Sequence, residues 1–319
     1  MLLSRVADSL YWISRYLERA EHTARLIDVA VDLELDRAAV GDATAIGHLY
    51  TSLGLPLVDE VDPVPLLDTA LFDPSNRNSV AACVIGAREN ARQVREEIST
   101  DMWEQLNALF LRVRQMRDDA TWTGRTHYVS RSIIEGVHLF CGITDATMGH
   151  GEGWEYLRVG RFIERAMSTA GLLDLFLNST FDDDELAPAP LDQSDWVALL
   201  RSCAALEGYC RQYTADVRSE RVAELLLLNV ECPRSIRFAA TQMEAALRAI
   251  ARHTGRSSGA RAERLSGRLR SSLEYAQLEE ILGDDPRGYL TGIRRQCAQI
   301  HAAFYQSYIA YAIESALTA

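Results

Sequence analysis

Leu10, Ile13, Leu17, Ala20, Ala24, Ile27 and Val31 recur at steps of three and four residues. That spacing draws one apolar face along an α-helix and is incompatible with the period-two alternation of a strand. It predicts a first helix over about 4–37, ended by Gly41-Asp42. The same period returns along almost the whole chain. Further helices are expected over about 42–53, 79–99, 101–117, 127–146 and 151–179, then 195–215, 218–229, 234–253, 260–282 and 287–317. Pro56, Pro63, Pro65 and Pro74 mark a long loop with one helical turn at about 65–72. The acidic run Asp182-Asp183-Asp184-Glu185 with Pro188 and Pro190 reads as a linker, after which Ser194 or Asp195 can cap the next helix. No alternating strand is evident, so the expected class is all-α, a multi-helix bundle.

The first helix has a second copy. Placing Glu18-Arg19 over Glu164-Arg165 makes eight of the fifteen positions from Arg15 to Val29 identical, and most of the rest are like for like, such as Tyr16/Phe162 and Leu17/Ile163. A weaker echo pairs Asn78-Ser79-Val80 with Arg234-Ser235-Ile236. This predicts one domain over 1–319 built from two tandemly duplicated halves, about 1–147 and 148–319, that share a core.

On a helical wheel centred on Ile13, Arg15, Glu18 and Arg19 lie about 120–160° from the apolar stripe, on the opposite face. Arg15 and Arg19 are i,i+4 neighbours and repel unless an anion sits between them. The second copy keeps Arg161, Glu164 and Arg165 while changing nearby sites, such as Glu21 to Met167 and Arg25 to Gly171. Tyr11 and His22 extend the face in the first copy only; the corresponding sites are Leu157 and Ser168. If the bundle covers both faces of this helix, the charges are buried and need each other or a ligand. The triplet is then either an ionic lock between the halves or a site for anions and carboxylates. A second group is Arg88, Glu89, Asn90, Arg92 and Arg95, with its arginines at i, i+4 and i+7. It is either a solvated face or a site for a carboxylate-bearing partner.

Composition removes several chemistries. The net charge is −12, so nucleic acid is disfavoured as a partner. The sequence has no Lys, and all 33 basic residues are Arg. That excludes a Schiff-base lysine, a lysine base and a phosphate loop of the Walker type. The longest aliphatic run, Leu225–Leu228, is far too short for a membrane span. The N-terminus has no apolar targeting segment, and the six scattered cysteines form no CxxC pair, as expected of a cytoplasmic chain with reduced thiols. Glu135-x-x-His138 has the spacing of helical di-iron sites but lacks the second motif such sites need, so no metal or other cofactor is expected. His138 and Cys141 share a predicted helix, where a buried thiol is commoner than a nucleophile.

Arg15-Tyr16-Leu17-Glu18-Arg19-Ala20, Arg161-Phe162-Ile163-Glu164-Arg165-Ala166, Ala87-Arg88-Glu89-Asn90-Ala91-Arg92 and Gly151-Glu152-Gly153-Trp154 together resemble the alpha-E domain family over nearly the whole chain. The family is helical, tandemly duplicated and named for its Glu-Arg signature. The resemblance implies a context of separately encoded, circularly permuted ATP-grasp carboxylate–amine ligases and transglutaminase-like proteins, in peptide synthesis or modification. The implied role is a helical partner or accessory subunit, non-catalytic or co-catalytic, that binds acidic or peptide-like groups through the Arg and Glu clusters. Two alternatives stay open: a stand-alone enzyme using Glu18 or Glu164 as a general base, or a metal; and a purely structural scaffold. The sequence does not fix the oligomeric state.

Overall fold

A computed structural model describes residues 2–40, 44–55, 63–119, 121–181, 191–214, 216–255, 260–283 and 285–310. Among them are fourteen α-helices and no strand, so the fold is an all-α multi-helix bundle. The acidic run with Pro188 and Pro190, the expected helix end at Gly41-Asp42, Pro56 and the positions beyond 310 lie outside the described residues.

Two long helices form the axis, α1 (Ser4–Val40) and α7 (Glu152–Phe181), and they pack directly on each other. α1 also packs on α4 (Val80–Gln93) and α6 (Thr126–Thr147), with α5 (Thr100–Asp118) bridging those two. On the other side α7 packs on α11 (Ile236–Thr254) and α14 (Pro286–Phe304), with α12 (Ala260–Glu274) bridging them. Shorter helices fill the ends: α2 (Thr44–Ser52), α3 (Pro63–Leu71), α8 (Gln193–Ser202), α9 (Leu206–Tyr213), α10 (Ser219–Leu228) and α13 (Leu278–Gly283). α2 and α8 each touch both α1 and α7.

The stripe from Leu10 to Ile27 is buried, and so are Ser14, Arg15, Glu18 and Glu21 on other faces of α1. The helix is therefore covered on both sides. α1 and α7 approach tightly at Gly160, where a Cβ would overlap the Tyr11 carbonyl oxygen and the Ser14 hydroxyl. Ser14 occupies in the first Arg-x-x-Glu-Arg helix the position that Gly160 occupies in the second.

Two turns recur bond for bond. Ser79 caps α4: its Oγ accepts from Ala82 N at 3.1 Å and donates to the Asp73 carbonyl at 2.6 Å. Ser235 caps α11 in the same way, accepting from Phe238 N at 2.9 Å and donating to the Asn229 carbonyl at 2.5 Å. Past α2, Leu55 N donates to the Tyr50 carbonyl at 2.8 Å around Gly54, whose φ is +71°. Past α8, Ala205 N donates to the Leu200 carbonyl at 2.8 Å around Ala204, at φ +48°. Both are left-handed helix ends that satisfy terminal carbonyls.

Several expected boundaries need correction. The helix expected over 195–215 is two, α8 and α9, broken at the left-handed Ala204. The one expected over 260–282 is also two, separated at Tyr275–Gln277 with Tyr275 facing solvent. α4 stops at Gln93 rather than near Ser99, because the fully buried Val94 leaves helical geometry at φ −127°. α8 is capped by Asp192, whose side chain accepts from Asp195 N while Asp195 accepts from Asp192 N, a reciprocal capping box. The expected turn at 65–72 is the nine-residue α3.

A charged seam between two central helices and the cleft beside it

The faces of α1 and α7 opposite their apolar stripes meet, and their charges pair across the junction. Arg15 Nε donates to Glu164 Oε2 at 2.6 Å, and Arg19 Nε donates to Glu164 Oε1 at 2.7 Å. The anion that two arginines at i,i+4 require is therefore a carboxylate of the other long helix. In return, Arg165 Nε and Nη2 hold the two oxygens of Glu18 at 2.6 and 2.9 Å. Burial alone would raise both carboxyls. Arg165 and Arg234 outweigh that at Glu18, and Arg15 and Arg19 do so at Glu164, so both stay below the ordinary range. Carboxylates held in this direction are weak bases near neutral pH, which counts against Glu18 or Glu164 as a general base.

The pairing is not symmetric. Arg234, in the turn before α11, donates to Glu18 Oε1 at 2.9 Å and to Glu21 Oε2 at 2.5 Å. Its counterpart before α4 is Asn78, whose Oδ1 accepts from Arg19 Nη1 at 3.2 Å. Glu21 is also gripped by Arg25, and His138 Nε2 lies 3.4 Å from it; Arg234, the His138 hydrogen bond and Arg25 overcome burial and hold the carboxyl well below its usual value. With Arg165 and Arg234 already on Glu18, Arg161 is left out. It has no ion pair among the described residues and instead lines a cavity of about 240 Å³ with Cys141, Trp154 and Phe162. Arg161, expected with Glu164 and Arg165 in the charged triplet, stands apart from the ion pairs of the seam.

The second arginine group is also rearranged. Arg88 donates to Asn107 Oδ1 at 2.9 Å and lies 4.6 Å from the Phe110 ring centre, while Arg95, beyond the end of α4, lies 5.0 Å from that of Trp103. These two pack α4 against α5 rather than forming an open row. Asn90 Nδ2 is tied to the Gly86 carbonyl. Arg92, exposed as Arg95 is, pairs with Glu89 at 2.9 Å. Glu135-x-x-His138 holds no metal geometry: His138 faces Glu21, and the described residues contain no group of three or more His, Cys, Asp or Glu able to hold an ion. Burial raises the Cys141 thiol.

Beside the seam a cleft of about 430 Å³ opens between α1, α7, α2, the turn before α4, and α14. The Arg19–Glu164 pair forms part of its wall, with His22, Asn78, Ser168, Asp174 and Arg294. Burial, then Arg234, depresses His22 to about 4, so its ring is neutral at pH 7. Arg294 lies over Gly171, its guanidinium 3.8 Å from where a Cβ would stand. No sequence signal marked Arg294 or Glu21 as part of this region. Arg234 could have been noticed as the charged partner of Asn78 in the weaker echo.

The model of a predicted alpha-helical domain with a conserved ER motif, Alpha-E, matches residues 2–309. The chain belongs to the Alpha-E family. The family is described by a Glu-Arg motif, and the Glu-Arg pairs Glu18-Arg19 on α1 and Glu164-Arg165 on α7 stand at the centre of the seam. The chain is similar to an uncharacterized protein of Mycobacterium bovis, 26% identical over 336 residues, covering 95% of this chain and 35% of the relative. Uncharacterized proteins from two Mycobacterium tuberculosis strains match at 26% and 25% over the same shares. The chain thus spans about a third of the length of these relatives. No solved structure matches it.

Proposed function

We propose that this Alpha-E chain is a helical partner, non-catalytic or co-catalytic, of an ATP-grasp carboxylate–amine ligase, and that it presents an acidic or peptide-like group to that ligase. The observation that carries this reading is the cleft. It is walled by Arg19 and Glu164, one residue from each Glu-Arg pair, and adds Arg294, a guanidinium with no ion pair among the described residues. A chain without lysine cannot supply the phosphate-gripping lysine of a Walker loop, and a partner would bring the nucleotide site. Most of each mycobacterial relative lies outside the matched stretch, which leaves room for such a partner, or for a transglutaminase-like domain, in one polypeptide. In this reading Arg15, Glu18, Arg165 and Glu164 set the spacing of the two long helices. Arg19 serves both the seam and the cleft, and the exposed Arg92–Glu89 edge of α4 meets the ligase.

One observation favours a second reading, a structural scaffold: Glu18 and Glu164 are fully engaged by arginines of the chain itself. Co-purification with an ATP-grasp carboxylate–amine ligase from the same organism, followed by ATP-dependent amide formation with and without this chain, separates the two. The partner reading expects association and at least a tenfold gain in ligation. A ligase that works at full rate alone and does not associate leaves the scaffold. Amide formation by the isolated chain makes it an enzyme in its own right.

A further inference from the structure

The cleft has an excess of hydrogen-bond donors. Glu164 uses both oxygens on Arg15 and Arg19, and Asp174 is itself engaged. On the donor side, Arg19 spends Nε and Nη1 on Glu164 and Asn78, leaving Nη2. Asn78 uses its Oδ1 and leaves its amide NH2. His22, Ser168 and the whole Arg294 guanidinium line the same space with no hydrogen-bond partner among the described residues. A neutral imidazole keeps one N–H to give. Counting Arg15 behind the wall, three guanidinium groups face two carboxylates, Glu164 and Asp174.

An uncommitted set of donors with surplus positive charge recognises an oxyanion, and the fork of Arg294 suits the two oxygens of a carboxylate. The volume is in the range of small-ligand sites and larger than a bare phosphate needs. Leu26, Leu53 and Leu175 add an apolar wall that would seat the rest of a molecule. We infer that this cleft binds the free carboxylate of an amino acid or short peptide, with Arg294 and Arg19 on the carboxylate and His22, Asn78 and Ser168 donating around it. The inference deepens the proposed reading, since it names the group presented, but it concerns the isolated chain and is tested without any ligase.

The test uses the intact chain with three probes: a glutamate-containing dipeptide, the same dipeptide as its C-terminal amide with a glutamine side chain, and inorganic phosphate. Binding is read by calorimetry and by the His22 ring signals in NMR, assigned through His22→Gln. The expected result is saturable dipeptide binding that moves the His22 signals, weakened at least tenfold in Arg294→Ala and in the amide. Arg294 is solvent-facing, so that variant should keep the parent melting curve; Arg294→Lys, retaining charge without the fork, should recover only part of the affinity. Equal binding of the amide, binding of phosphate alone, or dipeptide binding that leaves His22 and Arg294→Ala unaffected would overturn the inference. If the cleft fails this test while the ligase still co-purifies, only the carboxylate assignment falls; if it passes and no ligase associates, only the partner reading does.

Discussion

Removing one carboxylate from the seam leaves two guanidinium groups facing each other in a buried space. Glu18→Ala or Glu164→Ala should therefore destabilise the fold by about 3–5 kcal/mol, the usual cost of stranding a buried charge. Arg161→Ala should change stability by less than about 1 kcal/mol, because that arginine is in no ion pair to lose. Urea unfolding of the three variants checks the contrast, and equal losses would contradict the pairing. The same groups set the acid response. Glu18, Glu164 and Glu21 titrate below their ordinary 4.5 when folded, so the unfolded chain takes up those protons first as pH falls. Their stabilisation is complete above that range and is lost as pH drops through the folded values. His22, at about 4 against an ordinary 6.5, acts in the same direction between those two values. Stability should fall from pH 6.5 toward 4, and His22→Gln should flatten part of that slope. The flattening is partial because burial also lowers His48 and His301. An unchanged slope in urea midpoints across that range would show that His22 is not held neutral by the fold.

At the scale of elements, the junction of α1 and α7 turns on Gly160. The atoms a Cβ would meet include a main-chain oxygen, which no rotamer change can move aside. Gly160→Ala should cost about 1–3 kcal/mol by overpacking, whereas Gly149→Ala, with open space around it, should be near neutral. Gly54→Ala tests the left-handed end of α2 and should cost about 1 kcal/mol, from the crowding of a Cβ at positive φ. Thermal melts of the three variants give the order. The helices themselves were readable because the apolar stripe of α1 and the caps Ser79 and Ser235 act locally. The breaks at Ala204 and Val94 were not readable, since neither position carries Gly or Pro. The chain turns there to keep neighbours such as Leu200, Ala205 and Val94 in the core, a demand made by distant elements. The site divides in the same way. The Arg-x-x-Glu-Arg face was visible as a repeated pattern, but its partner across the junction depends on how two helices cross. Arg294 joins the cleft from α14, far away in sequence.

For the whole molecule, α1, α4, α5 and α6 pack in the same order as α7, α11, α12 and α14, and the turns at Ser79 and Ser235 match in their hydrogen bonds. We propose that the chain arose by tandem duplication of a unit like residues 1–147, and that the halves form one cooperative domain across the seam. Each half alone would expose a long helix whose Arg and Glu have lost their counter-ions and whose Ser14 or Gly160 has lost its contact. The duplication also explains the asymmetry: Arg in one copy and Asn in the other, at positions 234 and 78, decides which arginine is displaced from its carboxylate. The most direct measurement of this account is equilibrium unfolding of the intact chain beside residues 1–147 and 148–319 expressed separately. The expected result is one transition for the intact chain, coincident by tryptophan fluorescence and circular dichroism, with neither half unfolding cooperatively until the two are mixed. Two halves that each fold alone, at the stability of the intact chain and without associating, would contradict it.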